Sequence, residues 1–324
     1  MTASRLKLLA AALGILALAA VSLFIGVSDV SLASLLSSAP EDRPMQVLLI
    51  SRVPRTLALI IAGASLSIAG LIMQMLTRNR FVEPSTAGTV DSAGFGILVA
   101  TMLLPSMPVV GKMAVAAGFA LLGTFIFMRL LRAIPARSAL VVPLVGIMLG
   151  GIISSATDFI AYRVDLLQTI GNWMTGDFSG VLRGRYELLW IAGGLAGLAW
   201  FAADRLTVAG LGEAFTTNLG LNYQRVLAFG LTIVSMVTAV VVVIAGEIPF
   251  LGLIVPNLVS AVMGDNARRS IPWIALTGAG FVLACDIIGR VIRFPYEIPV
   301  GTIFGVVGAA IFLWLLLRRR HQLG

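Results

Sequence analysis

Apolar residues fill long blocks along the whole chain, and short polar segments separate them. A bilayer span needs about 20 apolar residues. On that length the pattern predicts ten transmembrane helices: the N-terminal run up to Val27, then 57–76, 87–104, 113–131, 139–161, 188–203, 226–245, 250–263, 272–290 and 298–317. The first run follows Arg5-Leu6-Lys7 and has the charge of a secretory signal. It is about as long as a full span and lacks a polar end region, so it reads as a retained helix. The expected fold is all-α, a polytopic membrane protein with 1–324 as a single transmembrane domain.

Composition supports this reading throughout the chain. Of 324 residues, 59% are hydrophobic and 12% charged, against roughly a quarter charged in an ordinary soluble domain. The mean hydropathy of +1.01 is too high to come from one greasy segment. The connections leave no room for a large soluble domain.

Charge then orients the chain. The net charge of +8 would point to nucleic acid in a soluble protein, but in a membrane protein positive residues collect in cytoplasmic loops. An inside N-terminus puts Arg5, Lys7, Arg78, Arg80, Arg129, Arg132, Arg137, Arg205, Arg225, Arg268, Arg269, Arg318, Arg319 and Arg320 on the cytoplasmic side, 14 of the 23 Lys and Arg residues. With an even number of spans both termini are cytoplasmic.

Candidate chemistry is sparse. The single cysteine, Cys285, and the single histidine, His321, leave no disulfide, no zinc site and little scope for His or Cys catalysis. The chain has no Gly-x-x-x-x-Gly-Lys-[Ser/Thr] loop, so any dependence on ATP must come from another subunit. Ionisable groups at membrane depth are costly and point to function, which singles out Asp158, Glu247 and Asp286. Asp286 precedes Arg290 by one helical turn, which fits either a self-neutralising pair or an arginine free to meet a partner. Arg52 and Arg55 flank Pro54 at the expected outer start of the second span, as lipid-interface anchors or as bidentate forks for a partner's carboxylates.

Two further stretches stand out. The polar segment Gly246-Glu247-Ile248-Pro249 and the short span with Pro256 put irregular backbone at membrane depth, where it must be enclosed by protein or line a cavity. Gly146 with Gly150, Gly193 with Gly197 and Gly301 with Gly305 carry the Gly-x-x-x-Gly spacing, which serves either close packing within a subunit or a subunit contact. Between the sixth and seventh spans, Leu211, Phe215 and Leu219 recur every four residues, with Glu213 near a helix start and Gly220 as its stop. Such a helix can lie in a groove on a soluble partner.

Blocks running in order over nearly the whole chain carry a family resemblance. Arg52-Val53-Pro54-Arg55-Thr56-Leu57, Gly70-Leu71-Ile72-Met73-Gln74 and Asn79-Arg80-Phe81-Val82-Glu83-Pro84 come first. Trp173-Met174-Thr175-Gly176, Leu211-Gly212-Glu213-Ala214, Gly246-Glu247-Ile248-Pro249-Phe250-Leu251-Gly252 and Glu297-Ile298-Pro299-Val300-Gly301 follow. The sequence resembles the permease subunits of iron-siderophore and vitamin B12 ABC importers. Many relatives carry Asn-Pro at Asn79-Arg80 and Pro-His at Pro256-Asn257, so this chain departs from the pattern there.

The resemblance implies a permease in the bacterial inner membrane that moves a ferric siderophore, with the run from Asn79 to Thr89 similar to the catecholate branch. A vitamin B12 or haem permease is the alternative within the family, and an ion-coupled secondary transporter the alternative outside it. It also implies a second permease subunit, identical or paralogous, two cytoplasmic subunits that hold ATP and Mg, a substrate-binding protein, and no catalytic residue or cofactor on this chain. Leu211, Gly212, Glu213, Ala214, Phe215, Leu219 and Gly220 match the element that meets the ATPase. Arg52, Arg55 and Arg290 match the arginines that meet the binding protein.

Overall fold

In the computed structural model, residues 3–26, 42–133, 141–264 and 266–318 are described; expectations placed on Val27, Arg137, Ala139, Arg319, Arg320 and His321 fall outside them. Fourteen helices, and no strand among the described residues, make up the fold. They are α1 (Ala3–Phe24), α2 (Arg43–Val47), α3 (Val53–Thr77), α4 (Thr89–Leu103), α5 (Val109–Ala133), α6 (Val141–Arg163) and α7 (Leu167–Trp173). The second half adds α8 (Leu189–Phe201), α9 (Ala203–Gly210), α10 (Glu213–Asn218), α11 (Tyr223–Ala245), α12 (Leu251–Met263), α13 (Ala267–Ile292) and α14 (Val300–Arg318).

Six helical stretches among the described residues are long and apolar enough to cross a membrane, or seven if α8 and α9 count as one bent span. α4, α12 and α14 are shorter apolar helices. The expected ten blocks therefore all contain a helix, but they are not ten equivalent spans. The expected span 188–203 is helical for only 13 residues in α8, and the chain then turns by 69° into α9.

α3 is the central helix. It packs against α8, α11, α12 and α13, and 83% of its apolar window is buried, against 6% for α1. Two backbone crossings make this possible. A β-carbon at Gly70 would overlap the carbonyl of Gly252 in α12, and one at Gly63 would meet the backbone of Gly278 in α13. Without a hydrophobic driving force between helices in lipid, such close approach supplies the van der Waals contact that holds them.

The start of the second span differs from the sequence expectation. Pro54 was expected to open the helix, yet α2 and a π-helical turn, Leu48–Arg52, run into α3 without a break. Proline lacks an N–H and crowds the preceding turn, and the widened π turn accommodates it.

Candidate functional site

Three places gather the residues that the sequence singled out. The first lies where the end of α1, the start of α3 and the end of α13 converge. Asp286 sits between two arginines: Arg55 donates from Nε at 3.0 Å and from Nη2 at 2.7 Å to Oδ1, while Arg290 donates to Oδ2. Arg55 also donates from Nη1 to Glu297 Oε2 at 2.6 Å. Arg290 reaches back to α1, donating to the carbonyls of Ser22 at 3.0 Å and Ile25 at 2.8 Å and to Ser22 Oγ at 2.5 Å. Arg52 donates to the Leu23 carbonyl at 2.8 Å.

The last carbonyls of a helix have no partner inside it, and cations are favoured there. Arg52 and Arg290 satisfy that end of α1. The sequence placed all three arginines at the outer surface, but Arg52 is 6% and Arg290 5% exposed because their side chains turn inward to α1. The Asp286–Arg290 spacing is filled as a closed, buried pair. Arg55, with an 11% exposed side chain, and Glu297, with 28%, are the part of the cluster nearest the surface.

The second place is the irregular segment before α12, alongside the C-terminal half of α3. Gly246 and Phe250 both take positive φ, 85° and 64°, and bring α12 to a start at Leu251. Glu83 caps that start: its Oε1 accepts from the Phe250 N–H at 2.8 Å and from Ser85 Oγ at 2.8 Å, and it faces the N–H groups of Gly252 and Leu253. A carboxylate at a helix N-terminus meets unpaired N–H groups and the positive end of the dipole. Asn257 Nδ2 donates to the Arg80 carbonyl at 2.7 Å, which ties the polar run after α3 to the same helix. Glu83, Glu247, Gly246 and Gly252 line a cavity of about 20 Å³.

Gln74 and Glu83 stand in the sequence as parts of family blocks and Asn257 as a departure from the family pattern, none of them with an expected role. The signal available was a polar side chain in an apolar context.

The Gly-x-x-x-Gly pairs divide. β-Carbons at Gly146, Gly150 and Gly301 would strike Thr86, Asp91 and Thr175 within the subunit, whereas Gly197 faces open space.

The third place is at the opposite end of α3, about 33 Å from Arg55 by the rise of the 22 helical residues to Thr77. α9 packs against α3 and α11, and α10 follows it after a break at Gly212, whose φ of 109° suits glycine. The expected short helix is α10, with Leu211 just before the break rather than inside the helix. Glu213 opens α10, and Gly220, at φ 78°, lies just beyond its end. Thr216 Oγ1 donates to the carbonyls of Gly212 at 2.7 Å and Val208 at 3.1 Å, holding α10 to α9. Leu211, Phe215 and Leu219 are 58%, 59% and 59% exposed. Among the described residues nothing covers this face, and Ala214 is exposed beside it.

Asp158 is exposed on α6, one turn from exposed Ser155 and Tyr162 and two turns from Gly151 on the same face. Among the described residues no group of three or more His, Cys, Asp or Glu could hold a metal.

Comparisons with known proteins cover almost the whole chain. Residues 13–318 match the FecCD transport family. The petrobactin import system permease protein YclN of Bacillus subtilis is 50% identical over 94% of this chain and 95% of its own. The petrobactin import system permease protein FatD of Bacillus anthracis is 42% identical over 94% and 89%, and the vitamin B12 import system permease protein BtuC of Serratia proteamaculans 34% over 82% and 80%. In fold, the chain is similar to a metal-chelate type ABC transporter solved in an inward-facing conformation, with a TM-score of 0.80 over 97% of this chain and 99% of that one at 24% identity.

Proposed function

The chain belongs to the FecCD transport family, and from that premise we propose that it is the permease subunit of an ATP-driven importer carrying a ferric siderophore across the bacterial cytoplasmic membrane. The observation that carries the reading is 50% identity, over almost all of both chains, to a permease of petrobactin import. The related permease for ferric anguibactin, 39% identical over 93% of this chain, supports the same class of cargo.

The polypeptide acts as a single permease domain that does no chemistry of its own. ATP and Mg bind on two partner subunits, and a second permease, identical or paralogous, completes the pathway. The ten helical blocks make ten passes with both termini in the cytoplasm. α10 is the coupling element: Leu211, Phe215 and Leu219 offer an apolar ridge to an ATPase groove, and Glu213 and Gly220 set its two ends. A substrate-binding protein docks at the opposite end, where Arg55 and Glu297 approach the surface and Arg52 and Arg290 support them from beneath. α6 lines the path, since a charge such as Asp158 on an exposed face does not sit against lipid.

The test is reconstitution with the ATPase and the binding protein, followed by uptake of radiolabelled iron with a panel of ferric siderophores, haem and vitamin B12. ATP-dependent uptake of one ferric siderophore is expected. Uptake driven by an ion gradient without ATP, or uptake of vitamin B12 or haem instead, overturns the reading.

A further inference from the structure

A groove of about 660 Å³ runs between α5 and α11, at the end of the molecule that carries α10. It takes no part in the charged cluster around Asp286 or in the segment around α12. On α5, Leu122, Phe125, Arg129 and Arg132 all line it, at spacings of three, four and three residues, so a single helical face is apolar for about one turn and then cationic. Leu231 of α11 forms part of the opposite wall. The two guanidinium groups are weakly engaged. Arg129 has no side-chain partner among the described residues, and Arg132 makes one long bond, 3.4 Å to Gln224 Oε1.

We infer that this groove binds an anionic phospholipid, with its acyl chain along Leu122, Phe125 and Leu231 and its phosphate between Arg129 and Arg132. Three features select that occupant. A guanidinium pair one turn apart offers forked donors to phosphate oxygens. The apolar wall continuing from it has no use for a free anion but matches a lipid tail. Basic pockets between transmembrane helices at the membrane surface are suited to acidic headgroups. Gln224 adds a consequence, because its Nε2 also reaches Glu213 Oε1 of α10 at 3.5 Å. A headgroup that draws Arg132 away from Gln224 therefore acts one side chain from the start of α10.

The test uses the full chain in nanodiscs of equimolar phosphatidylglycerol and phosphatidylcholine, released into native mass spectrometry to count retained lipids of each class. Phosphatidylglycerol should be enriched on the wild type, and two arginines at an acidic leaflet are together worth on the order of 30-fold in affinity. Arg129→Gln with Arg132→Gln should abolish the enrichment, the double Lys variant should keep it, and Arg268→Gln, an exposed arginine away from the groove, should leave it unchanged. Leu122→Trp, which fills the groove without touching either arginine, should also reduce retention. Excess inorganic phosphate should not displace the lipid. Equal retention of the two lipids, equal loss in Arg268→Gln, displacement by free phosphate, or dissociation of a dimer in the groove variants would each overturn the assignment.

Discussion

Gln74 in α3 supplies the hydrogen bond that Pro256 in α12 cannot. Proline has no N–H, so the Gly252 carbonyl, four residues before it, loses its helical donor. Gln74 Nε2 lies 3.2 Å from that oxygen and 3.4 Å from the Leu253 carbonyl. The two helices cross at Gly70 and Gly252, which brings the glutamine close enough to reach.

Removing the glutamine should therefore cost most when the proline is present. Gln74→Leu leaves a buried carbonyl without a partner, a loss of about 1–3 kcal/mol. In a Pro256→Ala background the helix regains its own N–H donor, and the same change should cost much less. A double-mutant cycle on unfolding in detergent measures the coupling, and additive losses would show that the glutamine serves another purpose.

The charged cluster makes a prediction about rank. Asp286→Asn strips the buried Arg290 and the part-buried Arg55 of their shared counter-ion, and breaking a buried pair costs about 3–5 kcal/mol. Glu297→Gln removes a half-exposed partner, worth about 1 kcal/mol or less. Thermal unfolding should show the first variant far below the second. Equal transition temperatures would mean that Arg55 and Arg290 rearrange to other partners.

Docking at the same end should involve competition for Arg55. Glu297 holds that guanidinium when no partner is present. Glu297→Ala should raise affinity for the binding protein in nanodiscs, Arg55→Glu should lower it below Arg55→Ala, and salt should weaken the wild-type complex as screening shortens the reach of exposed charges. Unchanged affinity in Glu297→Ala and Arg55→Glu at low salt would leave the cluster a purely structural lock.

At the other end, Gly220→Arg places a bulky residue at a φ of 78°, a conformation that costs a non-glycine residue about 1 kcal/mol or more. Insertion and ATPase assembly should survive, while stimulation of ATP hydrolysis by loaded binding protein and uptake should fall together. Phe215→Ser should act in the same direction through the exposed ridge. Normal stimulation in both variants would remove α10 from the coupling role.

Thiol labelling should map the pathway with little background, because the one native cysteine, Cys285, is buried. Single cysteines at Gly151, Ser155 and Asp158 should react with polar reagents in the assembled transporter, while Val142 and Thr157, buried on the opposite side of α6, should not. Uniform protection of α6 would place the path elsewhere.

The sequence alone determined the number of apolar blocks, the approximate limits of the long helices and the place of the short amphipathic helix around Glu213. Hydropathy summed over about 20 residues is a strong signal, so α5, α6 and α11 lie within a few residues of expectation. It did not determine which helix is central. α1 and α3 have nearly the same mean hydropathy in their apolar windows, 2.3 and 2.2, yet 6% of the first window is buried against 83% of the second. In lipid both a packed face and a free face are apolar, so composition does not separate them. Nor did it join Arg55 to Asp286, 231 residues away, or turn Arg52 and Arg290 onto the end of α1. Spacing along one helix reveals neighbours on that helix, whereas a partner on another helix exists only after the glycine crossings of α3 have set the distances, and the tertiary structure alone decided those.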